Sequence, residues 1–411
     1  MKNIAGNAYL NKFDDQILAD SVSIREVLKI SDTPFMIFLE NRIRENIRNF
    51  CNTFKSIFSN FESYYSFKAN YLPEICRIIQ SEGIGAELVG LPELNLALSL
   101  GFPSDKIIVG GPYLPDNLID KSINKGVREI IVYNLNDLNR INEFARKYDK
   151  IQNICLRIKS TKFASKLGIS SSLTKINILK DLLKNNKNIK LKTILSHYST
   201  QMNNFEQYSE NTMNIIHFYE VLQKHNIDIE NINLGGGFPE ASIMHKERLK
   251  IIAQNIKSLL EQHDINYKKV YAEPGRYFVG DSGLFITHIL KKTSERWIYI
   301  NIGNHICPKF ARCSLRFYNG SRIKDPHKFK TSIAGIIPTD QDVLVKDYFF
   351  TKELKEGDFV MVTNVGAYCL TFSNRFPYSL PNIFLIKGEN IQKIFDQEIQ
   401  GDFFINSSKT Y

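Results

Sequence analysis

The sequence predicts a closed (β/α)8 barrel followed by a C-terminal antiparallel β domain. Three observations lead there. Between about residues 60 and 275, short β-branched or aromatic runs alternate with longer amphipathic, charged segments, the rhythm of a parallel sheet. Eight such runs occur, the number that closes a barrel. Near residue 280 the rhythm changes to β-like runs punctuated by Gly, Asn and Pro.

In chain order the eight runs are Phe61–Phe67, Ile84–Val89, Lys106–Val109, Glu129–Val132, Asn153–Ile158, Leu191–Ser196, Asn231–Leu234 and Lys269–Ala272. Helix-like stretches between them include Leu72–Glu82, Leu91–Leu100, Asp116–Lys125, Leu135–Tyr148, Asn204–Lys224 and His245–Gln262. The later β-like runs are Leu284–Leu290, Trp297–Ile302, Lys330–Ile337, Asp342–Phe350, Asp358–Asn364 and Asn382–Lys387. The first twenty or so residues read as a polar arm. Residues 1–32 are therefore assigned to an arm with a possible β-domain strand, 33–280 to the barrel and 281–411 to the β domain. Thr33–Leu39 is a strand candidate that fits either domain.

Composition narrows the function. Lys and Arg outnumber Asp and Glu by 53 to 43, yet the excess is dispersed, with no basic stripe interleaved with aromatics. A nucleic-acid partner is not expected; a modest positive field favours an anionic substrate or cofactor. The six cysteines form no C-x-x-C pair and no zinc-like cluster, so no metal and no disulfide framework is expected, and a reducing, cytoplasmic setting is. No apolar run reaches 18 residues, and the opening stretch has no apolar core, so neither a membrane span nor a secretory leader is expected.

Catalytic groups of a (β/α)8 barrel stand at the C-terminal ends of its strands. The unusual residues here fall there repeatedly. Lys68 and Asn70 follow strand one, Glu87 ends strand two, and Gly110-Gly111-Pro112 follows strand three. Arg157 ends strand five, His197 follows strand six, and Gly235-Gly236-Gly237 follows strand seven. Glu273-Pro274-Gly275-Arg276 follows strand eight. A lysine at a barrel mouth is desolvated, which lowers its pKa and suits imine chemistry; alone, Lys68 is also what a surface lysine at a strand end looks like. Three consecutive glycines bare backbone N–H groups to a phosphate, or make a flexible loop. Glu273 can keep a pyridine nitrogen protonated and Arg276 can grip a phosphate, or the two can form a buried ion pair. His197 can stack on a flat cofactor or be a packed core histidine. Tyr368, in VGAYC, can bond a phosphate or be an ordinary strand aromatic.

In order, the motifs SFKAN, GAELVGLPEL, LRIKSTKFASKLGI, LSHYSTQ, INLGGGFP, AEPGR and NVGAY resemble the fold-type III pyridoxal-phosphate decarboxylases. That group includes ornithine, diaminopimelate and biosynthetic arginine decarboxylases on an alanine-racemase-like barrel. The resemblance runs from about residue 33 to 390. It implies pyridoxal 5'-phosphate as cofactor, held by Lys68 as a Schiff base. It places Glu87 near the cofactor, Arg157 near the ring oxygen and His197 on the pyridine face. Thr200 stands where a Ser usually binds phosphate, with Gly235, Gly236, Gly237, Gly275, Arg276 and Tyr368 around it. Glu273 pairs with the pyridine nitrogen. Lys68, His197 and Glu273 are the catalytic set this implies. Arg312, Thr339, Asp342 and Tyr368 are the substrate contacts. The implied reaction is loss of an amino acid's α-carboxylate as CO2, in a homodimer whose active sites are shared between subunits.

The sequence also departs from the family pattern. Pro338, in GIIPTDQD, occupies the position of a cysteine that helps return a proton to Cα. Proline has no proton to give, which leaves Lys68, a water or Cys369. Thr339 replaces the acid that reads a distal amine, and Ile302 lies where ornithine-type enzymes carry a second acid. A buried distal ammonium without a partner costs several kcal/mol, so ornithine and lysine are disfavoured. Thr339 with Asp342 resembles the C-T-P-x-D branch, some of whose members act on larger or carrier-linked amino acids in specialised biosynthesis. The alternatives are a racemase or epimerase, which needs a second base, and a non-catalytic cofactor-binding regulator, which typically loses the cofactor contacts retained here.

Overall fold

A computed structural model describes residues 2–160 and 165–400. The chain divides into two units. One holds residues 47–239 and 244–277; the other holds residues 1–46, 240–243 and 278 onward.

The first unit is a closed eight-stranded parallel barrel. Its strands are Phe61–Ser66, Gly85–Leu88, Ile107–Gly111, Glu129–Val132, Gln152–Arg157, Ile189–Leu195, Asn231–Asn233 and Lys269–Ala272. The last closes on the first through Val270 opposite Phe61 and Ala272 opposite Ser63. The strands read as near-continuous apolar runs because both faces are covered. Inside, Tyr64, Ile108, Ile131, Cys155, Leu195 and Tyr271 pack as one layer, so the barrel is filled and not a pore. Outside, helices return the chain between strands. Pro73–Ser81, Leu91–Ser99, Asp116–Lys125, Asp137–Lys147, Phe205–Lys224 and Lys246–Gln262 lie within a few residues of the predicted stretches. Leu173–Asn185 is an additional helix, and Glu40–Lys55 precedes the barrel. The latter buries Ile43, Ile47, Phe50 and Phe54, a helical stripe.

The glycine pair expected after strand three lies within it, at the end of Ile107–Gly111. A Cβ on Gly110 would overlap the Ile131 side chain of the next strand. Gly110 is a packing glycine inside the sheet.

The second unit is a β structure built from three separated chain segments. Strands Gly283–Lys292, Trp297–Ile300, Arg316–Asn319, Phe329–Ala334, Val343–Phe350, Phe359–Thr363, Asn382–Lys387 and Asn390–Phe395 join Phe35–Leu39 in a nine-stranded sheet. The expected antiparallel pattern holds for most pairs, but two are parallel: Trp297–Ile300 with Phe329–Ala334, and Asn382–Lys387 with Phe35–Leu39. Phe35–Leu39 is buried throughout and hydrogen-bonded to Gly283–Ile286 on one side and Asn382–Ile386 on the other. The β unit therefore takes in this strand, and the barrel begins later than residue 33.

The polar arm expected at the N-terminus is corrected. Lys2–Ile4, Asn7–Phe13, Gln16–Ala19 and Val22–Ser23 form a four-stranded antiparallel sheet. Asp14 and Asp20 take left-handed turns (φ 50° and 56°) between its strands. Leu10, Ile17, Ala19 and Val22 join a core with Phe35, Leu284, Met361 and Phe384. Alternation on short strands hides this apolar face in an average that looks polar.

Asp281 ties the unit's segments together. Its carboxylate accepts from Arg42 Nη2 at 2.7 Å, Asn46 Nδ2 at 2.7 Å and the Ser242 amide at 2.8 Å, and its carbonyl accepts from Asn7 Nδ2 at 2.9 Å.

Candidate active site

The C-terminal rim of the barrel gathers most of the residues singled out from the sequence. Strand one ends at Ser66 and turns at once into a 3-10 turn, Phe67–Ala69, which carries Lys68. Its Nζ lies 3.1 Å from Glu87 Oε2, at the end of strand two. Glu87 is 2% exposed and also accepts a short hydrogen bond from Ser66 Oγ. The lysine is half-exposed while its carboxylate partner is buried, so the amine faces the open rim.

Strand eight ends at Ala272, and Glu273 follows, buried. Asn233 Nδ2 donates to Glu273 Oε1 at 2.7 Å, and the Glu273 amide donates to the Gly235 carbonyl at 2.8 Å. Burial first, and then the charge of Glu87, push the Glu273 carboxyl above the usual carboxylate range; Lys68 and the Asn233 bond pull the other way. This carboxyl has a high affinity for a proton or for a neighbouring cation.

Gly275 brings strand eight against the Lys68 turn. A Cβ at this position would come within 2.8 Å of Ala69 Cβ. Arg276 is 4% exposed.

Strand seven leads into the glycine run. Gly235 (φ 68°) and Gly237 (φ 91°) are left-handed, and a Cβ on Gly236 would stand 2.6 Å from the Glu273 carbonyl. A Cβ on Gly237 would overlap the Ser199 carbonyl, which crosses it closely. Thr200 follows Ser199 and is partly exposed. Two of the three amides are already engaged: Gly235 N donates to Asn233 Oδ1 at 2.9 Å, and Gly236 N to His197 Nδ1 at 3.2 Å. Only the Gly237 amide carries no such bond among the described residues. The expected three-amide cradle narrows accordingly.

His197 is pushed down to about 3 by burial, then by the nearby charges of Arg157 and Lys68. It is a neutral ring at physiological pH. Arg157, at the end of strand five, donates from Nη1 to Tyr133 OH at 2.9 Å and lies over the Tyr133 ring.

The β unit holds the other candidates. Tyr368 is left-handed (φ 67°) and its ring stacks on Phe372. Arg312 is exposed and left-handed (φ 50°) at the end of a 3-10 turn. Thr339 is exposed, and its Oγ1 accepts from the Gln341 amide. Asp342 does not fit the substrate role expected for it. Its Oδ1 accepts from the Asn304 amide at 2.6 Å and its Oδ2 from the Ile337 amide at 2.8 Å. Buried and doubly engaged, it clamps two loops of its own unit. Ile302 is wholly buried. Part of the LRIKSTKFASKLGI motif, residues 161–164, lies outside the described residues.

Sequence reasoning missed Ser66, Tyr133 and Asn233. Asn233 had a signal: an Asn two residues before a glycine forms a local turn through its side chain. The other two gain meaning only from partners far away in the chain.

The donor set suits an anionic, aldehyde-bearing pyridine. It offers an amine at the rim, a buried carboxyl that favours a proton or cation, a neutral flat imidazole and a backbone closed to side chains at three successive positions. Comparison with known proteins agrees. Residues 43–280 match the family model "Pyridoxal-dependent decarboxylase, pyridoxal binding domain". A diaminopimelate decarboxylase of Staphylococcus aureus is 23% identical, over 96% of this chain and 98% of its own. An L-glutamyl-[BtrI acyl-carrier protein] decarboxylase of Niallia circulans is 25% identical, over 86% and 88%. The crystal structure of the diaminopimelate decarboxylase of M. jannaschii superposes with a TM-score of 0.86 at 22% identity, over 96% of both chains. The matched model spans more than half of this chain and the whole barrel, and the chain thus belongs to the pyridoxal-dependent decarboxylases, enzymes that work with pyridoxal 5'-phosphate.

Proposed function

We propose that this enzyme decarboxylates an α-amino acid that lacks a free distal ammonium, in the form of a larger or carrier-linked substrate. The observation that carries this reading is the pair Thr339 and Ile302. These residues stand where the family resemblance puts the acids that read a distal amine, and neither carries the negative charge that would neutralise an ammonium. Asp342 cannot replace them while it holds two backbone amides. The similarity to a decarboxylase of a carrier-linked glutamyl group supports the same direction.

Lys68 would hold the cofactor through its ε-amine. Glu273 would face the pyridine nitrogen, His197 one ring face, and Arg157 and Glu87 the ring's polar edge. The Gly237 amide, Thr200, Gly275, Arg276 and Tyr368 are proposed for the phosphate. When bound, pyridoxal phosphate supplies the electron sink for the bond to the carboxylate. The chain's own part is to orient that bond, to keep Glu273 suited to a cation and to hold His197 neutral. Pro338 has no transferable proton, and Cys369, the third candidate, is wholly buried against Cys313 and Cys307, so return of a proton to the substrate carbon falls to Lys68 or a water. We further propose a homodimer with shared sites in the cytoplasm; six free thiols support the reducing compartment.

The test is CO2 release by protein loaded with pyridoxal phosphate. The panel is ornithine, lysine, diaminopimelate and glutamate, free and as a glutamyl carrier-protein thioester. Turnover of the thioester with none of ornithine or lysine is expected. Efficient turnover of either diamine precursor would refute the reading. Gel filtration giving an active monomer would refute the shared site.

A further inference from the structure

Three thiols meet in the β unit. Cys313 Sγ lies 3.5 Å from Cys369 Sγ, and Cys369 Sγ lies 3.9 Å from Cys307 Sγ. All three are free. Cys307 and Cys369 are buried, whereas Cys313 is partly exposed. Nothing in the proposed decarboxylation requires them. Buried cysteines are common core residues, but two sulfurs flanking a third, one of them reachable from solvent, are a different arrangement.

Their position in the chain matters. Cys313 follows Arg312, and Cys369 follows Tyr368, and both of those neighbours are left-handed non-glycine residues. Such a conformation persists only where the surroundings impose it. On the Tyr368 side the backbone is anchored just upstream. The Gly366 amide donates to the Gly280 carbonyl at 2.9 Å, and a Cβ on Gly366 would overlap the Val279 carbonyl. Cys313 Sγ itself donates to the Ala367 carbonyl at 3.4 Å. A disulfide needs its sulfurs about 2.05 Å apart. Closing the gap draws the two segments together, and Tyr368, between the anchored Gly366 and Cys369, and Arg312, next to Cys313, are the neighbours that take up the movement.

We propose that Cys313 and Cys369 are a peroxide-sensitive thiol pair whose closure to a disulfide displaces Arg312 and Tyr368. Cys313, the accessible member, is attacked first. Its thiolate sulfur takes one oxygen of hydrogen peroxide, giving a sulfenic acid and hydroxide. The Cys369 sulfur then displaces the hydroxyl group, forming the S–S bond and releasing water. In sum, two thiols and one peroxide give one disulfide and two waters. Cys369 takes the second role by position: its Sγ lies next to Cys313 Sγ, and the proton it gives up leaves with the displaced hydroxyl as water. Reduction by a small dithiol reverses the change. The effect on the cofactor rests on the reading of Tyr368 as a phosphate contact; the thiol chemistry does not.

The experiment treats the holoenzyme with stoichiometric hydrogen peroxide and maps its peptides without reduction. The expected product is one 313–369 disulfide, with free thiols falling from six to four. Affinity for pyridoxal phosphate, read by absorbance titration, is expected to fall about tenfold and to return with dithiothreitol. Cys313→Ser should bind the cofactor as before and be immune to peroxide, while Cys51→Ser should respond like the unmodified protein. Six free thiols after treatment, or Cys313 over-oxidised with Cys369 still free, overturns the pair. A mapped disulfide with unchanged cofactor affinity overturns the switch and the phosphate role of Tyr368, leaving the decarboxylase reading to its own test.

Discussion

The Gly236 amide donates to His197 Nδ1 at 3.2 Å. That bond makes Nδ1 an acceptor and places the ring proton on Nε2. Burial first, and then the charges of Arg157 and Lys68, push the ring's pKa down to about 3. A neutral, single-tautomer His197 is therefore expected from pH 5 to 8. In 15N-histidine NMR spectra its resonances should stay in the Nε2–H pattern across that range. A titration midpoint near the ordinary histidine value, 6.5, would contradict the arrangement.

Gly237→Ala should be severe and Gly111→Ala mild. Gly237 is left-handed and a Cβ there overlaps the Ser199 carbonyl, whereas the nearest atom to a Cβ at Gly111 is at 3.4 Å. Left-handed strain alone costs about 1–3 kcal/mol, and the overlap adds to it. Thermal melts should show a loss of several degrees for the first variant and little for the second. Equal melting temperatures would show that the loop after strand seven yields easily.

Asp342→Ala tests the clamp against a substrate contact. Two backbone amides lose a charged acceptor, at about 1–3 kcal/mol for each group left unsatisfied. The melting temperature should drop in the absence of any substrate. A variant with unchanged stability and a raised KM would return Asp342 to the substrate.

Glu129, from strand four, is a buried carboxyl that accepts from Thr193 Oγ1 at 2.9 Å. Burial pushes it up to about 7. In the unfolded chain it ionises near 4.5. Below that pH both states hold the proton. Between 4.5 and about 7 the unfolded state loses it and the native state keeps it, so stability falls as pH rises. Glu129→Gln should remove this component, on the order of 3 kcal/mol across the interval. Denaturant titrations at pH 4.5 and 7.5 should show a flatter profile for the variant; parallel profiles would mean that Glu129 is solvated.

The barrel was legible because each of its strands is a short buried run bounded by polar turns. The N-terminal sheet was not, because its strands are short and mix Leu10, Ile17 and Ala19 with Asn, Lys and Gln. Phe35–Leu39 was readable as a strand, but the sheet it joins depends on partners hundreds of residues away. At the site, Lys68, Glu87, Arg157, His197 and Glu273 could be found because strand ends are where barrel chemistry stands. Ser66 and Tyr133 could not, since their importance lies in touching Glu87 and Arg157. Asp342 was misread because spacing in a motif does not reveal which way a carboxylate faces.

The β unit's dependence on distant segments also shapes its synthesis. Phe35–Leu39 leaves the ribosome with five apolar side chains and two open edges, yet its first partner, Gly283–Ile286, emerges only after the entire barrel sequence. Asn382–Ile386 comes later still. Throughout that interval the nascent chain displays a sticky, unsatisfied ribbon. Recovery of native enzyme in a cell should therefore depend on chaperones that shield this segment, and on slow completion of the C-terminal third, more than on any weakness of the finished fold.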